Sequence, residues 1–373
     1  MRVALIHDHL AQDGGAEKVL KILAEMFPEA PIYTLLYEKK NADKYFKNRH
    51  IETSVIQKFP GGIKHYQWYM PFMPMAVEFF DLREYDLVIS DTSSFAKGVI
   101  TSTNTLHICY CHTPTRYLWD YTHQYINELK YNKFFKKIIS LVLNYVRIWD
   151  RQAADRVDFY IANSIAVKDR IKKYYRRDSV VVYPPVEIDK FQIADKKSDS
   201  DGYFLIGGRL APYKRMDIVI EAFNKNGKKL KIFGDGVDRA RLEAIANGNK
   251  NIEFLGRVDD QKKAELYRHC LAFLNPQEED FGITVIEAMA SGRPVIAFGR
   301  GGAKETVLAE KSGLFFYEQT PEAVIKIIDK FYNYSWQPEE IRKQAEQFSV
   351  EKFKKELNDL IDLEYGKFKK DKV

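Results

Sequence analysis

The feature that most constrains this chain is a repeated unit: a short apolar run, then a polar or glycine-bearing turn, then a stretch with helical periodicity. VALI (Val3–Ile6), YDLVIS (Tyr85–Ser90), TLHICYC (Thr105–Cys111), FYIANS, YFLIGG, KLKIFGDG, IEFLG, LAFL (Leu271–Leu274) and VIAF follow this plan. Runs without apolar–polar alternation suit strands buried on both faces. Strands that alternate with helices at this spacing predict parallel sheets covered on both sides. With 373 residues the chain exceeds what one core usually serves. The expected architecture is α/β, with two doubly wound, Rossmann-like parallel-sheet domains. Pro184 and Pro185 stiffen the exit from the first domain, and the polar stretch 193–202, IADKKSDSDG, reads as a linker. The domains are therefore placed at 1–186 and 187–349.

Charge and cysteine content narrow the function. The net charge of +6 fits an anionic ligand or a membrane surface without demanding nucleic acid. Cys109, Cys111 and Cys270 are sparse and sit in apolar context, so they read as reduced core thiols of a cytosolic protein. Cys109 and Cys111 lack the second pair a zinc site needs. No signal peptide is evident, since Val3–Ile6 stops at His7-Asp8. No apolar run approaches the ~18–20 residues needed to span a bilayer, so any membrane contact is expected to be peripheral.

Candidate chemistry concentrates between Asn275 and Glu305, NPQEEDFGITVIEAMASGRPVIAFGRGGAKE. This reads as a strand end, an acidic loop, a helix opened by Gly282, and a further strand. The start of that helix, Phe281 to Thr284, could receive an anion or sugar hydroxyls on its unpaired N–H groups. Glu279 and Glu287 could accept hydrogen bonds from vicinal hydroxyls. Alternatively, Glu279 merely complements the helix dipole and Glu287 is a solvated helix residue. Upstream, GGRLAPYK places Arg209 and Lys214 on a turn and at the start of the next helix. A guanidinium can clamp a phosphate and an ammonium adds a point charge, although two solvated basic residues would look the same. Gly14-Gly15, between the first strand and its helix, allows close approach of a diphosphate. It is not a G-x-G-x-x-G fingerprint, which argues against a dinucleotide-dependent dehydrogenase. His112 ends the strand TLHICYC, where ligands of such sheets collect.

Two segments suggest a surface role. Ile56–Phe80 is dense in aromatics, methionine and proline, and reads either as a packed connection or as an exposed apolar surface. Lys130–Trp149 sets Lys130, Lys133, Lys136, Lys137 and Arg147 among large apolar residues with no acidic residue. It is either an ordinary amphipathic helix or a patch that docks reversibly on an anionic membrane.

The string from Glu279 to Val295 resembles the E-x7-E signature of glycosyltransferase family 4, including its F-G pair and its E-A-x-A-x-G-x-P-V helix exit. IHDHL, DLVIS, KGVIT, YCHTPTRYLWD, IANS and VYPPV extend the likeness over nearly the whole chain, toward a bacterial branch that includes O-antigen mannosyltransferases. The resemblance implies a GT-B fold, two such domains facing a central cleft, with the last helix, about 350–373, returning to the first domain. It implies that Gly14 and Gly15 contact the donor phosphates, that His112 lies beside the donor sugar, and that Arg209 and Lys214, in G-R-L-x-x-x-K, stabilise the leaving diphosphate. Glu279, with backbone groups of Phe281 and Gly282, would hold the hexose, Glu287 the ribose hydroxyls, and the backbone at Arg257 and Val258 the base. Catalytic roles then fall to His112, Glu279, Arg209 and Lys214. The implied reaction is retaining transfer of a hexose, mannose from GDP-mannose ahead of a UDP-sugar, to a lipid-linked or polysaccharide acceptor in cell-surface glycan synthesis. It needs no metal and no cofactor, so Asp199-Ser200-Asp201 is discounted as a ligand pair. The enzyme would be cytoplasmic and peripheral on the inner face of the cytoplasmic membrane. The alternatives are a hydrolysing nucleotide-sugar epimerase, a glycan phosphorylase or a non-catalytic nucleotide-sugar-binding protein.

Overall fold

The computed structural model describes residues 1–11, 14–129, 131–193 and 202–372. Most of the polar stretch 193–202, including Asp199-Ser200-Asp201, and also Lys130, lie outside the described residues. The chain forms two compact units, Met1–Tyr183 together with Phe353–Val373, and Pro184–Lys352.

In the first unit, seven parallel strands run β1 (Val3–His7), β2 (Ile32–Thr34), β3 (Ile51–Thr53), β4 (Leu87–Thr92), β5 (Leu106–Cys111), β6 (Phe159–Ala162) and β7 (Val180–Val181). Their order is β3-β2-β1-β4-β5-β6-β7, so the winding reverses between β1 and β4. Every residue of β1, β4 and β5 is buried, which is why these strands read as unbroken apolar runs. Ala4, Ile6 and Val88 pack with Leu143, Val146 and Trp149, while Cys109 and Cys111 face Val167 and Ile171 on the other side. All three cysteines are free and buried. The last helix, Val350–Lys370, packs Phe353 edge-on against Tyr110 of β5.

In the second unit, six parallel strands run β8 (Tyr203–Gly207), β9 (Lys229–Phe233), β10 (Ile252–Gly256), β11 (Phe273–Asn275), β12 (Val295–Phe298) and β13 (Gly313–Phe316). The order β10-β9-β8-β11-β12-β13 reverses between β8 and β11. The core gathers Phe204, Ile206, Leu230, Ile232, Leu274, Ile296 and Leu314 from five of the six strands. Fully burying one such side chain stabilises by ~1.5–3 kcal/mol. Each unit is thus the doubly wound parallel sheet expected of the chain.

One boundary differs from the sequence reading. The helix after Gly207-Gly208 begins at Met216, because Pro212–Lys214 form a 3-10 turn that ends on a left-handed Arg215, φ 51°. The helix Ile165–Arg170 is followed by a wider turn, Ile171–Tyr175, which stops at left-handed Arg176. The basic aromatic segment forms the helix Lys133–Ala153, whose start is capped by Asn132 accepting from the Phe135 amide at 3.0 Å. Between residues 56 and 80 both readings hold in part. Met73, Ala76 and Val77 are buried, whereas Trp68, Phe72, Met75 and Phe79 are exposed.

Candidate active site

In the first unit, the carboxyl ends of β1, β4 and β5 lie side by side, and register sets His7 opposite Asp91. His112 follows β5, and its amide donates to the Thr92 carbonyl at 2.8 Å, which swings the imidazole over β4. Asp91 Oδ1 lies 2.7 Å from His112 Nε2, and Oδ2 lies 2.8 Å from His7 Nδ1. The other nitrogen of His7 is 3.9 Å from Glu17 on the helix Gly15–Met26. His7, Glu17 and Asp91 are each at most 3% exposed. Burial alone would push the His7 imidazole down, but the Asp91 and Glu17 carboxylates outweigh it and raise it to about 10. Burial works against ionisation of Asp91, yet His112 and His7 hold its carboxyl below the usual range. Gly14 sits directly over this chain, since a Cβ there would come within 2.9 Å of Glu17 Oε2. Gly15 starts a helix that no side chain caps.

The segment after His112 is pinned from below. Asp150, 1% exposed, accepts from Lys97 Nζ at 2.5 Å, Thr115 Oγ1 at 3.0 Å and Trp119 Nε1 at 2.8 Å. Lys97, also 1% exposed, donates in addition to the Ser94 carbonyl. Nearby, Asp8 accepts from the Ser93, Phe95 and Ala96 amides and from Thr92 Oγ1, fixing the turn after β4.

In the second unit, Arg209 follows β8 and is exposed, and Lys214 lies in the 3-10 turn beyond it. Lys214 Nζ donates to Glu279 Oε1. Burial disfavours both charges, but each holds the other: Lys214 is raised and Glu279 lowered, with Gln277 also donating to Glu279. Glu279 thus reaches across from the loop after β11 to the turn after β8. The backbone of the same loop is braced by the Gly302 amide, which donates to the Glu279 carbonyl at 2.9 Å. Gly282 caps the helix Ile283–Ala290 with φ 94°, a left-handed conformation that favours glycine. Phe281 is buried and packs its ring against Phe348.

Glu287 differs from the solvated residue that one reading allowed. It is 2% exposed and accepts from Lys263 Nζ at 2.9 Å and Tyr267 OH at 3.3 Å, both on the helix Asp260–His269. Arg257 and Val258 follow β10, and the Arg257 side chain is 82% exposed with Nε 3.7 Å from Asp235. The second unit therefore couples Lys214 with Glu279 and Gly282, and separately Glu287 with Lys263. Among the described residues, no group of three or more His, Cys, Asp or Glu side chains is arranged to hold a metal ion.

Sequence reasoning missed His7, Glu17, Asp91, Lys97 and Asp150. The available signal was a charged residue at the end of, or just beyond, an apolar run: His7-Asp8 after VALI, Asp91 after DLVIS.

Comparison with known proteins bears on the family and the fold. Residues 13–190 match the model described as Glycosyltransferase Family 4, and residues 187–348 match that described as Glycosyl transferases group 1. The chain is 32% identical over 152 residues to the GDP-mannose-dependent alpha-mannosyltransferase of Mycobacterium tuberculosis, covering 39% of each. It is 28% identical over 193 residues to the O-antigen chain mannosyltransferase C of Escherichia coli, covering 48% of this chain and 52% of that one. These matches span about half the length of the relatives or less. The crystal structure of Anabaena Alr3699/HepE in complex with UDP and glucose superposes with a TM-score of 0.72 at 18% identity, over 97% of this chain and 99% of that one, and so shares the fold. Two family models that together account for residues 13–348, on two doubly wound sheets, establish that the chain belongs to glycosyltransferase family 4.

Proposed function

We propose that this protein is a retaining hexosyltransferase that moves mannose from GDP-mannose, in preference to a hexose from a UDP-sugar, to a lipid-linked or polysaccharide acceptor in cell-surface glycan synthesis. The observation that carries this reading is the Lys214–Glu279 pair. A half-buried ammonium and a half-buried carboxylate are both held charged beside a glycine-capped helix start, where a pyrophosphoryl group and a sugar hydroxyl could each take one of them. Arg209 joins Lys214 in neutralising the departing diphosphate, so fixed cations do the work that a metal does elsewhere. Glu279, with the Phe281 and Gly282 backbone, holds the hexose, and Glu287 takes the ribose hydroxyls, exchanging one of its present partners for them. The backbone at Arg257 and Val258 meets the base. Gly14 and Gly15 are assigned to the donor phosphates and His112 to the donor sugar. The departing phosphate oxygen assists deprotonation of the acceptor on the same face, which preserves the anomeric configuration. Mannose is favoured by the likeness to both mannosyltransferases, and GDP by the one that is GDP-mannose-dependent.

Among the described residues no helix is long and apolar enough to cross a membrane. The helix Lys133–Ala153 exposes Phe134, Phe135, Leu141, Tyr145 and Ile148 beside Lys133 and Lys137. This surface supports peripheral docking on an anionic leaflet, at the inner face of the cytoplasmic membrane, where a lipid-linked acceptor would be presented.

The test is incubation with GDP- and UDP-sugars, reading nucleoside diphosphate release with and without a lipid-linked acceptor. Acceptor-dependent release from GDP-mannose, lost in Glu279→Gln, is expected. Release of free sugar with an altered C2 centre would indicate the epimerase instead, and donor-dependent stabilisation without any turnover would refute catalysis.

A further inference from the structure

The chain Glu17–His7–Asp91–His112 has a role that the donor contacts alone do not assign. Both oxygens of Asp91 are engaged, one on each histidine, at 2.7 and 2.8 Å. A carboxylate so engaged cannot rotate without breaking a bond. An ionised carboxylate also only accepts, so the nitrogen of His112 that faces it must carry the hydrogen. A neutral His112 then has a hydrogen at Nε2 and a bare lone pair at Nδ1. On the far side, His7 is kept in place by Glu17 and by register opposite Asp91, so Asp91 is held from behind by a group carrying positive charge. The Tyr110 ring, its centre 5.3 Å from that of His112 and its plane inclined at 71°, restricts the imidazole from the β5 side.

We infer that Asp91 is the positioning residue for His112: it fixes the tautomer with hydrogen on Nε2 and presents Nδ1 as an acceptor for a donor-sugar hydroxyl, while His7 and Glu17 fix Asp91. This rests on the reading that His112 contacts the donor sugar. It adds a direction to that contact: the sugar hydroxyl donates and the imidazole accepts. An amide at position 91 would destroy the arrangement without changing its size. It has one acceptor oxygen for two N–H groups, and the His7 imidazolium, anchored by Glu17, would keep it. The amide N–H then faces His112, which must turn its hydrogen to Nδ1 and becomes a donor toward the sugar.

The test combines a spectrum and a rate. In protein labelled with 15N in histidine, with His112→Ala used for assignment, His112 of the wild type should show hydrogen on Nε2 and a bare Nδ1 at neutral pH, and Asp91→Asn should reverse this. With GDP-mannose, Asp91→Asn should lower kcat/KM by ~10- to 100-fold, by analogy with removing the partner that orients a metal-bound histidine. Affinity for GDP alone, which has no sugar, should stay within about twofold. A wild-type His112 with hydrogen on Nδ1, or on both nitrogens, overturns the inference even if Asp91→Asn does not fold. If His112→Ala loses turnover but Asp91→Asn keeps it, the positioning role is wrong and the reading of His112 stands. If neither variant loses turnover, the contact between His112 and the sugar is itself refuted.

Discussion

Removing the Asp150 carboxylate should damage the protein more than any comparable change at its surface. Asp150 and Lys97 are each 1% exposed and lie 2.5 Å apart, so neither charge has water to fall back on. In Asp150→Ala the Lys97 ammonium keeps only the Ser94 carbonyl among its hydrogen-bond acceptors, and breaking a buried pair from one side costs ~3–5 kcal/mol. Thr115 Oγ1 and Trp119 Nε1 also lose their acceptor, which costs ~1–3 kcal/mol per group but is not simply additive. Taking ~3–5 kcal/mol as the dominant effect, and ~2–4 °C per kcal/mol for a unit of this size, the melting temperature should fall by about 6 to 20 °C. Differential scanning calorimetry reads this directly. The double variant Lys97→Met/Asp150→Leu removes both charges and should recover at least half of the loss. A shift below ~2 °C in Asp150→Ala, or a double variant no better than the single one, would refute the claim that this pair is desolvated and supports the segment after His112.

Lys214→Ala and Arg209→Ala should each lower kcat for nucleotide-sugar turnover by ~10²–10³, as for loss of one preorganised charge-stabilising contact; unchanged steady-state rates would remove both from the mechanism. Gly302→Ala should cost ~10² in kcat/KM with little change in the far-UV spectrum, because its Cβ would lie 2.5 Å from Phe281 Cα and 2.6 Å from the Asp280 carbonyl and so displace the Glu279 loop. For His7 the folded value, about 10, exceeds the unfolded 6.5, so its contribution is complete below pH 6.5 and is lost as pH rises toward 10. In urea titrations the stability gap between wild type and His7→Gln should therefore narrow between pH 7 and 10, by at most ~1.4 kcal/mol per pH unit; a constant gap would show that His7 is not charged in the folded protein.

The parallel sheets were legible because burial on both faces leaves one kind of residue in each strand, and VALI, DLVIS and HICYC carry that mark without any long-range information. Where elements stop was less legible. The helix after β8 waits for Met216 because Arg215 takes a left-handed turn, and no residue there has a preference strong enough to announce it. The chain behind His112 was illegible for a different reason. His7 and Asp91 are 84 positions apart, and Lys97 and Asp150 are 53 apart, so their meeting depends on strand order and register rather than on local pattern. Glu287 belongs to the same class: its helix period gave a position, but only the packing of Lys263 and Tyr267 shows it to be buried.

Strand order also explains why charge gathers where it does in both units. In an open parallel sheet the loops diverge at the point where the winding reverses, and the carboxyl ends of the two strands there are left uncovered by crossovers. In the first unit that point lies between β1 and β4, and His7 and Asp91 sit on those two strand ends. In the second it lies between β8 and β11, and Lys214 and Glu279 come from the loops that leave those two strands. Each unit therefore spans its own reversal point with one base and one carboxylate. The two pairs differ in how they are closed. His7 and Asp91 are sealed at no more than 3% exposure, and Asp91 gives its second oxygen to His112, which suits a device that orients. The Lys214 and Glu279 side chains keep 15% and 16% exposure, and an arriving diphosphate can compete for the ammonium, which suits a device that binds. Exchanging the bases should therefore be asymmetric: Lys214→Arg, which preserves the charge, should lose less than about tenfold, whereas His7→Lys should lose the ~10- to 100-fold expected of Asp91→Asn, because a flexible ammonium cannot bridge Glu17 and Asp91 with the fixed geometry of a ring. Steady-state rates of the two variants measure this directly, and equal retention in both would refute the distinction between a sealed and an open pair.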